Sequence, residues 1–561
     1  MKKTSEIIAR VINELFGSDT SVELTRPEPQ FGDFATNIAL KLAKDIGKSP
    51  REIAEKISEK MQGNNDFKKI EVAGPGFINI SLTDQALVEL TQYKPVASNQ
   101  ALSYVIEYSC PNAFKELHTG HLYQTILGDV MARLIESTGA SVHRTSFGGD
   151  IGLHVAKCLY GMVQNLGGEL PQKLDDISKA PMERAYWISQ CYVAGSQAYE
   201  NEFAAKNQIE LYNQTVYKIH DSNEHGTPIA EIYWTTRQWS FDYFEAFYSI
   251  LHVDNMRYIP ESSTAELGLS LVKDGLEKGI FKESDGAVVF EGDLQKKLHT
   301  RVFITSKGLP TYETKDIGVI FTEKQDYNFD KRLLITGNEQ SEYMKVVFAA
   351  ADALSPGLES AMHHVTNGTV RFGDGKKMSS RLGNVSRAID VVNFVKDRIR
   401  DIGSQADIID DVALGAIKFE FLRHRVGNDI AFDIEESVSI HGSSGPYLQY
   451  AHARACSILE KSKYSENPEF IMSGSLEESE RSLVRKLGEY NEALDKSVNE
   501  LMPHHICTYL YELAQEFNRF YEKSRIIDSD REILRIQIVI MYRDTLARGL
   551  NMLGIVAPEK M

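Results

Sequence analysis

Short β-rich runs alternate with longer helical stretches between residues 96 and 385, and this alternation restricts the fold more than any other feature of the chain. The runs include LSYVIEY, SVHRTSF, GAVVF and LLIT. Strands that alternate with helices favour a parallel sheet covered by helices, because each connection between parallel strands must travel back along the sheet. We therefore predict an α/β domain with a parallel sheet over residues 96–385.

The segments on either side of this domain have different patterns. Residues 1–95 combine helical sequence such as SPREIAEKISEKM with the strand-like run GFINISL, which follows the turn signal AGPG. This combination predicts a small α+β unit. Beyond Asn384 we expect no strands, and residues 386–440 and 441–561 are predicted to be helical. Apolar residues recur there every three or four positions, as in Ile506, Leu510, Leu513, Phe517 and Phe520.

Size and composition exclude several classes of protein. With 561 residues, the chain exceeds one ordinary hydrophobic core. The five cysteines are scattered and never spaced as C-x-x-C, which argues against a disulfide framework and a structural zinc site and favours a reducing cytoplasm. No apolar run approaches the length of a membrane span, and the N-terminal MKKTSEIIARVINELFG predicts an amphipathic helix rather than a signal peptide.

The segment EYSCPNAFKELHTGH, residues 107–121, places two histidines around a glycine where a predicted strand gives way to a predicted helix. Ligands of open α/β sheets bind at such positions, and a helix N-terminus favours phosphate. Gly120 would let a ligand approach the backbone, and the imidazoles of His118 and His121 can donate hydrogen bonds to it. The alternatives are helix caps or surface residues, or a metal site, for which no third ligand follows at a predictable spacing.

Known phosphate-binding loops do not match this chain. TVRFGDGKKMSS lacks the first glycine and the final Ser or Thr of a P-loop, and FGGDIG fails the G-x-G-x-x-G pattern. The cationic, glycine-flanked loop GKKMSSRLGNV, taken alone, is typical of a solvated loop. Taken together, HTGH at 118–121 and KMSSR at 377–381 closely resemble the two signatures with which class I aminoacyl-tRNA synthetases hold ATP from opposite sides.

Further segments narrow the resemblance to the arginyl-tRNA synthetases. SCPNAFKELHTGH, PTYETKDIG and SGPYLQYAHARACSIL resemble signature segments of that family, and FGDFATNIALKLAK and AGPGFINI resemble its N-terminal domain. The chain departs from the family pattern at Ser380, which replaces the second signature lysine, at Tyr123 and Gln124, and in GGDIGLH. Lys115 is the candidate for supplying the missing positive charge.

The resemblance implies a fold. It is α/β, with a Rossmann-like parallel-sheet catalytic domain over residues 96–385 that carries the HIGH and KMSKS-type motifs. An N-terminal α+β additional domain over residues 1–95 would bind tRNA. A helical stem-contact region over residues 386–440 would lead into an all-α anticodon-binding bundle over residues 441–561.

The resemblance also implies a reaction. The enzyme would activate L-arginine with ATP to arginyl-adenylate and pyrophosphate, and then transfer arginine to the 3′-terminal adenosine of tRNA(Arg). Mg²⁺ would arrive with ATP, and neither a protein-bound metal nor an organic cofactor is expected. The enzyme is expected to be a cytoplasmic monomer. Two alternatives are an H-x-G-H nucleotidyltransferase that does not use tRNA and an inactive paralogue that only binds tRNA.

Individual residues receive roles from the same resemblance. The implied catalytic residues are Lys115, His118, His121 and Lys377. The implied arginine-binding residues are Glu107, Cys110, Pro111, Asn112, His121, Tyr312, Asp316 and Gln340, and the choice between Asp316 and Glu107 as the guanidinium ligand is open. The implied ATP-binding residues are His118, Gly120, His121, Lys377, Met378 and Ser379.

The residues implied to bind tRNA are Asn37, Tyr447, Tyr450, Arg454 and Met561. Tyr447, Tyr450 and Arg454 are spaced by three and four, which places them on one helical face. Such a face is either a core stripe or, as the resemblance implies, a surface on which bases stack. The net charge of −17 disfavours a general affinity for nucleic acid, so that RNA contacts must be confined to local positive patches.

Overall fold

The computed structural model describes residues 1–92, 98–293, 295–372, 387–403, 406–464 and 474–561. Lys377, Met378 and Ser379, together with Ser380 of the same predicted loop, lie outside the described residues. Three units follow one another along the chain: a small N-terminal sheet with helices, a larger unit around a parallel sheet, and a helical bundle.

The N-terminal unit is a small sheet packed against helices. Strands β1 (Phe34–Thr36), β2 (Phe67–Ala73) and β3 (Phe77–Leu82) form an antiparallel sheet in the order β1-β3-β2. The helices are α1 (Lys2–Phe16), α2 (Ile38–Ile46), α3 (Pro50–Met61) and α4 (Asp84–Gln92). Helix α3 begins at Pro50 because the Ser49 hydroxyl accepts a hydrogen bond from the Glu52 amide at 3.2 Å and because proline suits the first helical position.

The central unit is built on a five-stranded parallel sheet, which confirms the predicted fold class. The strands are β4 (Ser103–Glu107), β5 (Ser141–Gly148), β6 (Met256–Pro260), β10 (Lys331–Gly337) and β11 (Met362–Asn367), in the order β11-β10-β4-β5-β6. The chain builds outward from β4 through β5 and β6, and then returns to the other side of β4 for β10 and β11. The winding therefore reverses between β4 and β10, and ligands of such sheets bind in the crevice at the carboxyl ends of these strands.

The central unit also contains helices, and one group of them forms a separate apolar core beside the sheet. The helices are α5 (Thr119–Glu136), α6 (Leu153–Leu166), α7 (Pro181–Asn201), α8 (Phe203–Ser222), α9 (Pro228–Ile250), α10 (Glu261–Glu277), α11 (Tyr312–Tyr327) and α12 (Ser341–Leu354). Helices α6 to α9 enclose an apolar core of their own, next to the turn that precedes α5.

Two sequence-based predictions about strands are wrong. The run GAVVF does not join the parallel sheet, because it forms β8 (Ala287–Phe290) in an antiparallel sheet with β7 (Lys282–Ser284) and β9 (Arg301–Ile304). So short an apolar run suits either kind of sheet. A strand also lies beyond Asn384, since β13 (Ile430–Phe432) pairs in parallel with β12 (Val370–Phe372). A strand of this length is too short to leave a periodic pattern.

The C-terminal unit is a helical bundle, as the apolar spacing predicts. Its helices are α13 (Ala388–Asp401), α14 (Ile409–Leu422), α15 (Ile434–Ser437), α16 (Gly445–Lys461), α17 (Glu478–Leu487), α18 (Tyr490–Glu500), α19 (His504–Lys523) and α20 (Glu532–Met552). The apolar stripe predicted for α19 is fully buried at Ile506, Leu510, Leu513, Phe517 and Phe520. Within the described ranges, no helix combines the length and apolar character that crossing a bilayer requires.

Ion pairs join the N-terminal unit to the bundle. Arg481 of α17 lies 2.6 Å from Asp33 and also pairs with Asp84. Arg26 pairs with Glu492 of α18 at 2.7 Å. Asp33 is buried, and a buried carboxylate requires a partner of this kind. The first and last units of the chain are therefore held against each other.

Candidate active site

A strained turn connects the carboxyl end of β4 to helix α5. Ser109, Cys110 and Phe114 have φ angles of 71°, 49° and 66°, a left-handed region that residues other than glycine rarely adopt. The Ser146 hydroxyl accepts a hydrogen bond from the Cys110 amide at 3.2 Å. The Ser240 hydroxyl accepts one from the Phe114 amide at 3.1 Å. Strain of this kind persists only where the surroundings fix the backbone, and it clusters at functional sites.

The predicted H-x-G-H segment forms the first turn of α5, and its two histidines cap the helix reciprocally. The Nδ1 atom of His118 accepts hydrogen bonds from the amides of Gly120 at 3.0 Å and His121 at 3.3 Å. The Nδ1 atom of His121 accepts one from the His118 amide at 3.2 Å. The rings are stacked, with their centroids 3.7 Å apart. The histidines are therefore helix caps, one of the alternatives that the sequence left open.

This capping fixes the tautomer of both imidazoles. Because Nδ1 accepts a backbone N–H, the proton of each neutral ring lies on Nε2. Burial lowers the pKa of His121 to about 3, and the nearby His118 and Lys115 add to the effect. Burial, followed by the charge of Lys115, also lowers the pKa of His118. Both rings are thus neutral near pH 7, and each offers one Nε2–H group as a hydrogen-bond donor.

The cap supplies a steric reason for Gly120. A Cβ atom at this position would lie 2.8 Å from Cε1 and 2.9 Å from Nδ1 of His118. Any side chain here would displace the ring that caps the helix. The structure therefore explains Gly120 through the cap, whereas the sequence suggested the approach of a ligand.

Lys115 lies close to the two histidine rings. Its charge contributes to the lowered pKa of both His118 and His121. Its Nζ atom lies 4.6 Å from the centroid of the Tyr192 ring on α7, which is a cation–π contact. Burial alone would raise the pKa of Tyr192, but the charge and hydrogen bond of Lys115 lower it overall. Lys115, His118 and His121 thus group positive charge and neutral donors at the N-terminus of α5.

The segment that follows the predicted KMSKS-type loop returns to this turn. Arg387 forms an isolated β-bridge with His118, and the Ala388 amide donates a hydrogen bond to the Leu117 carbonyl at 2.8 Å. Arg387 also pairs with Glu116 at 3.4 Å. The chain just beyond the predicted loop is therefore anchored beside the histidines, although the two motifs are far apart in sequence.

Asp316 is half-buried on helix α11. Its Oδ2 atom accepts a hydrogen bond from the Tyr343 hydroxyl, and no described group donates one to Oδ1. Burial raises the pKa of Asp316 to about 7, while the hydrogen bond from Tyr343 opposes the rise. In the described part of the chain, no cation forms an ion pair with this carboxylate. A carboxylate that has lost solvent without gaining an ion-pair partner is a candidate for binding a cationic ligand.

Glu107, at the end of β4, already has a cation of the protein as its partner. Arg332 of β10 pairs with Glu107 through Nη2 and with Glu323 of α11 through Nε, the latter at 2.6 Å. All three side chains are buried. Burial raises the pKa of Glu107, and the charge of Arg332 opposes the rise. Of the two carboxylates between which the sequence left the choice open, Glu107 thus has an internal cation as its partner, and Asp316 has none among the residues that the structure describes.

The remaining residues predicted to bind arginine lie in the turn after β4, in the turn after β10 and at the start of α11. Asn112 is exposed in the turn after β4, where its Oδ1 atom accepts a hydrogen bond from the Gly149 amide at 2.8 Å, and Pro111 next to it is buried. Gln340 is exposed in the short turn that follows β10. Tyr312 begins helix α11 and is 69% exposed. Asn112 is therefore held in place by Gly149, whereas Gln340 and Tyr312 are open to solvent.

Tyr447, Tyr450 and Arg454 share one face of α16, as their spacing predicts. Asn518 of α19 donates a hydrogen bond to the Tyr447 hydroxyl at 2.9 Å and accepts one from Arg454 at 3.1 Å. The Arg454 guanidinium lies over the Tyr450 ring at 5.2 Å and over the Tyr521 ring at 5.5 Å. Tyr450 and Tyr521 are 38% and 45% exposed, so that this face is a partly open surface rather than a core stripe.

The two other residues predicted to bind tRNA lie in different units. Asn37 is exposed just before helix α2, and its side chain makes no capping hydrogen bond. Met561 is half-buried at the end of the chain and packs against the bundle core. The terminal segment is tied to α16, where Nδ1 of His452 lies at hydrogen-bond distance, 2.8 Å, from the Pro558 carbonyl. Asn37 lies on the N-terminal unit and therefore outside the surface formed by α16 and α19.

Several residues of the site were missed in the sequence. They are Arg332, Glu323, Tyr343, Tyr192, Asn518 and Tyr521. Only Arg332 could have been predicted from the sequence. It lies inside the run KRLLITG, and a charged residue within a buried strand of a parallel sheet requires a partner of opposite charge. The others left no such signal, including Glu323 on the same helix as Asp316 and Tyr343 three residues after Gln340, because no local pattern shows which side chain faces the site.

The described residues include no group of three or more His, Cys, Asp or Glu side chains that could hold a metal ion. The geometry of His118 and His121 also disfavours metal ligation by these two rings. Backbone amides donate to both Nδ1 atoms, which leaves neither neutral ring a free lone pair for a metal ion. The site instead combines neutral imidazole donors and a lysine with a carboxylate for which the described part of the chain offers no ion-pair partner. Such groups supply donors and positive charge for an anionic ligand and a carboxylate for a cationic one.

Models of three protein families match consecutive parts of the chain. Residues 2–82 match the arginyl tRNA synthetase N terminal domain, and residues 82–434 match the catalytic domain of class I tRNA synthetases (R). Residues 448–561 match the DALR anticodon binding domain. The catalytic-domain match alone spans more than half of the chain.

Curated relatives and solved structures match over most or all of their length. The chain is 30% identical to the arginine–tRNA ligase of Thermobifida fusca, with 100% of both chains covered. It is 29% identical to that of Treponema denticola, with 96% of this chain and 94% of the relative covered. The fold matches the arginyl-tRNA synthetase of Thermus thermophilus with a TM-score of 0.80 at 24% identity, and 100% of both chains is covered. The Plasmodium falciparum enzyme matches with a TM-score of 0.79 at 20% identity, covering 100% of this chain and 99% of that one.

Proposed function

The chain belongs to the arginyl-tRNA synthetases and ligates arginine to tRNA with ATP, and we propose how its residues divide this work. In the first step the carboxylate of arginine attacks the α-phosphate of ATP, which releases pyrophosphate and leaves arginyl-adenylate. In the second step a ribose hydroxyl of the terminal adenosine of tRNA takes the arginyl group and AMP leaves. Neither step needs a protein nucleophile, so that the protein contributes positioning and charge stabilisation.

The reciprocal cap of His118 and His121 is the observation that carries the assignment of the phosphate site. It holds both rings neutral with their protons on Nε2, ready to donate to the oxygens of the α-phosphate as negative charge grows there. Lys115 and Lys377 neutralise the β- and γ-phosphates. Gly120, Met378 and Ser379 complete the ATP site, and Mg²⁺ arrives with the nucleotide rather than in a cage of protein carboxylates.

Asp316 receives the guanidinium of arginine. Its carboxylate is half-buried and lacks an ion-pair partner within the described ranges, which supports this role. The planar guanidinium of arginine can satisfy both oxygens of a carboxylate, which the ammonium group of lysine cannot do. Tyr312 and Gln340 close over the side chain. The turn of Cys110, Pro111 and Asn112, together with His121, positions the carboxylate of the amino acid near ATP.

The outer units bind tRNA. The N-terminal unit, residues 1–95, contacts the tRNA elbow through Asn37. The region of residues 386–440 contacts the stem. The C-terminal bundle, residues 441–561, binds the anticodon. The exposed ring of Tyr450 beside the guanidinium of Arg454, with Tyr447 on the same face, supports base stacking there. Met561 adds to this surface. The enzyme acts as a monomer in the cytoplasm.

Aminoacylation assays with each amino acid test the function directly. We expect charging of tRNA(Arg) with arginine alone. Charging with another amino acid would contradict the assignment. Absence of charging together with tight tRNA binding would favour the inactive paralogue. Transfer of nucleotides to a substrate other than an amino acid would favour a nucleotidyltransferase.

The pKa of Asp316 predicts how arginine use depends on pH. Because burial raises this pKa to about 7, the carboxyl is protonated below that pH and cannot pair with a guanidinium. The kcat/KM for arginine should therefore fall by about tenfold for each pH unit below 7 and level off above it. Steady-state charging between pH 5.5 and 8.5 measures this, with kcat/KM for ATP as the control. An arginine profile that is flat across pH 7 would contradict the role of Asp316.

Lys115 is predicted to contribute to the rate rather than to arginine affinity. Substitution Lys115→Ala should lower kcat by about 10² with little change in the KM for arginine, because one preorganised positive group is lost from the phosphate site. Lys157→Ala is a matched control, since Lys157 makes a similar cation–π contact with Tyr199, 4.3 Å from the ring centroid. Wild-type turnover in Lys115→Ala would show that Lys115 has no part in the reaction.

A further inference from the structure

Arg332, Glu107 and Glu323 form a buried ion-pair triad under the crevice. Arg332 is 1% exposed on β10, Glu107 is 4% exposed at the end of β4, and Glu323 is 0% exposed on α11. Besides the two ion pairs of Arg332, the Thr145 hydroxyl donates a hydrogen bond to the second oxygen of Glu323 at 2.6 Å. The triad thus ties the two central strands of the sheet to the helix that carries Asp316.

Both oxygens of Glu107 are engaged within the protein. Oε2 accepts from Arg332, and Oε1 lies 3.6 Å from the thiol of Cys110 in the strained turn. Asp316 differs, because the Tyr343 hydroxyl engages only its Oδ2 atom in the described structure. A guanidinium that binds in fork geometry needs two available oxygens on one carboxylate. Asp316 has a free Oδ1 among the described groups and a second lone pair on Oδ2, whereas both oxygens of Glu107 are already engaged.

Breaking the ion pair between Arg332 and Glu107 would also be energetically unfavourable. The Nη1 atom of Arg332 is buried and lacks a hydrogen-bond partner within the described ranges, so that this guanidinium is already incompletely satisfied. If a substrate captured Glu107, Arg332 would keep, among the described residues, its ion pair with Glu323 and the more distant charge of Asp316. Two guanidinium groups would then also lie side by side, and like charges in a buried site repel strongly.

We propose that Arg332 is a positioning residue of the arginine pocket: it keeps Glu107 as its own ion-pair partner, so that Asp316 alone receives the guanidinium of the substrate. This deepens the proposed function and rests on it. Arg332 acts through Glu107 and touches no substrate. It also determines specificity, because a released Glu107 would add a second carboxylate to the pocket. A pocket with two carboxylates can hold the point charge of a lysine without the fork geometry that favours arginine.

A double-mutant cycle tests this inference. The KM and kcat for arginine are measured at pH 9 in the wild type, Glu107→Gln, Arg332→Met and the double variant, because burial raises the pKa of Glu107 to about 8 and only the ionised carboxylate can bind the substrate. With Arg332 present, Glu107→Gln should raise the KM by about fivefold or less, because an amide oxygen can still accept the hydrogen bond from Arg332. In the Arg332→Met background the same substitution should raise the KM by about tenfold or more, because Glu107 has become available to the substrate.

The relative charging of lysine provides a second readout that a merely structural role would not change. Discrimination against lysine should fall in Arg332→Met and recover in Arg332→Lys, which keeps a positive charge next to Glu107. If Arg332→Met does not fold, the cycle is run with Arg332→Gln, which removes the positive charge but keeps a hydrogen-bond donor for the buried carboxylates.

Two results would overturn the inference. One is a tenfold or larger rise in the KM for Glu107→Gln in the wild-type background, which would make Glu107 a substrate ligand. The other is an equal effect of Glu107→Gln in both backgrounds. Failure of the proposed function would appear separately, as a normal KM for arginine in Asp316→Asn.

Discussion

Substitution Asp316→Asn should abolish useful activation of arginine while leaving ATP and tRNA binding nearly intact. The amide keeps the size of the side chain and can still accept a hydrogen bond from Tyr343. It carries no charge to pair with a guanidinium that must leave water on entering the pocket. Removing one partner of a buried ion pair costs about 3–5 kcal/mol, which corresponds to a loss of roughly 10²- to 10⁴-fold in kcat/KM for arginine.

The matched control lies on the same helix. Asp326, also on α11, pairs with Arg257 at 2.7 Å, and both side chains are exposed. Exposed pairs contribute little, so Asp326→Asn should behave like the wild type. The measurement is pyrophosphate exchange with tRNA present, so that the result holds whether or not arginine activation requires tRNA. If Asp316→Asn activated arginine at near-normal efficiency, Glu107 would become the leading candidate for the guanidinium ligand.

The same loss should remove discrimination together with activity. A pocket with a desolvated carboxylate rejects a poorly matched side chain because its polar groups are left unpaired, and such sites reach selectivities of roughly 10⁴–10⁵ without editing. Once the charge is removed, arginine loses the interaction that separates it from neutral analogues such as citrulline. Binding of both compounds to Asp316→Asn, measured by calorimetry, should therefore give similar affinities.

The sequence predicted the parts of the fold that depend on local patterns. The strand at LSYVIEY, the turn at CPNAFKEL and the helix from the H-x-G-H segment follow from apolar spacing, and they place His118 and His121 beside the crevice. The buried apolar stripe of α19 was predicted from the same kind of spacing. The run GAVVF was assigned to the wrong sheet, and strand β13 was not predicted. Three or four residues are too few to define a periodic pattern.

The electrostatic pairing within the site was not predictable in the same way. The sequence left open whether Asp316 or Glu107 is the guanidinium ligand. What distinguishes them is Arg332, more than two hundred residues from Glu107 along the chain and adjacent to it only through the pairing of β4 with β10. A strand order that crosses the sheet cannot be read from local pattern. The sequence feature that indicated a buried acidic partner was the charge of Arg332 within an apolar strand.

The histidine pair is also defined by its partners rather than by its motif. A sequence with two imidazoles at a helix start allowed caps, phosphate donors or metal ligands. The structure shows that capping and donation are compatible, because they use different nitrogens of the same ring. Capping consumes Nδ1 and thereby holds the proton on Nε2. The local structural role therefore prepares each ring for the role proposed in catalysis.

Separating these two roles is the purpose of the double variant His118→Asn/His121→Asn. The side-chain oxygen of asparagine lies about where Nδ1 lies, and asparagine is a favoured residue at a helix N-cap, so that the capping hydrogen bonds can persist. Both Nε2–H donors are lost. Removing one preorganised donor costs on the order of 10²–10³ in rate, and the pair acts on one phosphate group, so that the combined loss should be roughly 10³–10⁴ rather than the full product.

The expected result is a large loss in the rate of arginyl-adenylate formation with a small change in melting temperature. Single-turnover formation of the adenylate, with tRNA present, measures the first quantity and thermal unfolding the second. The corresponding glutamine variants are the matched control, because the amide nitrogen of glutamine reaches about as far as Nε2 and should restore part of the rate. A double asparagine variant with near-normal adenylate formation would limit the two histidines to capping. A fall in stability that the glutamine variants share, with equal loss of rate, would mean that the cap rather than the Nε2 donors controls the reaction.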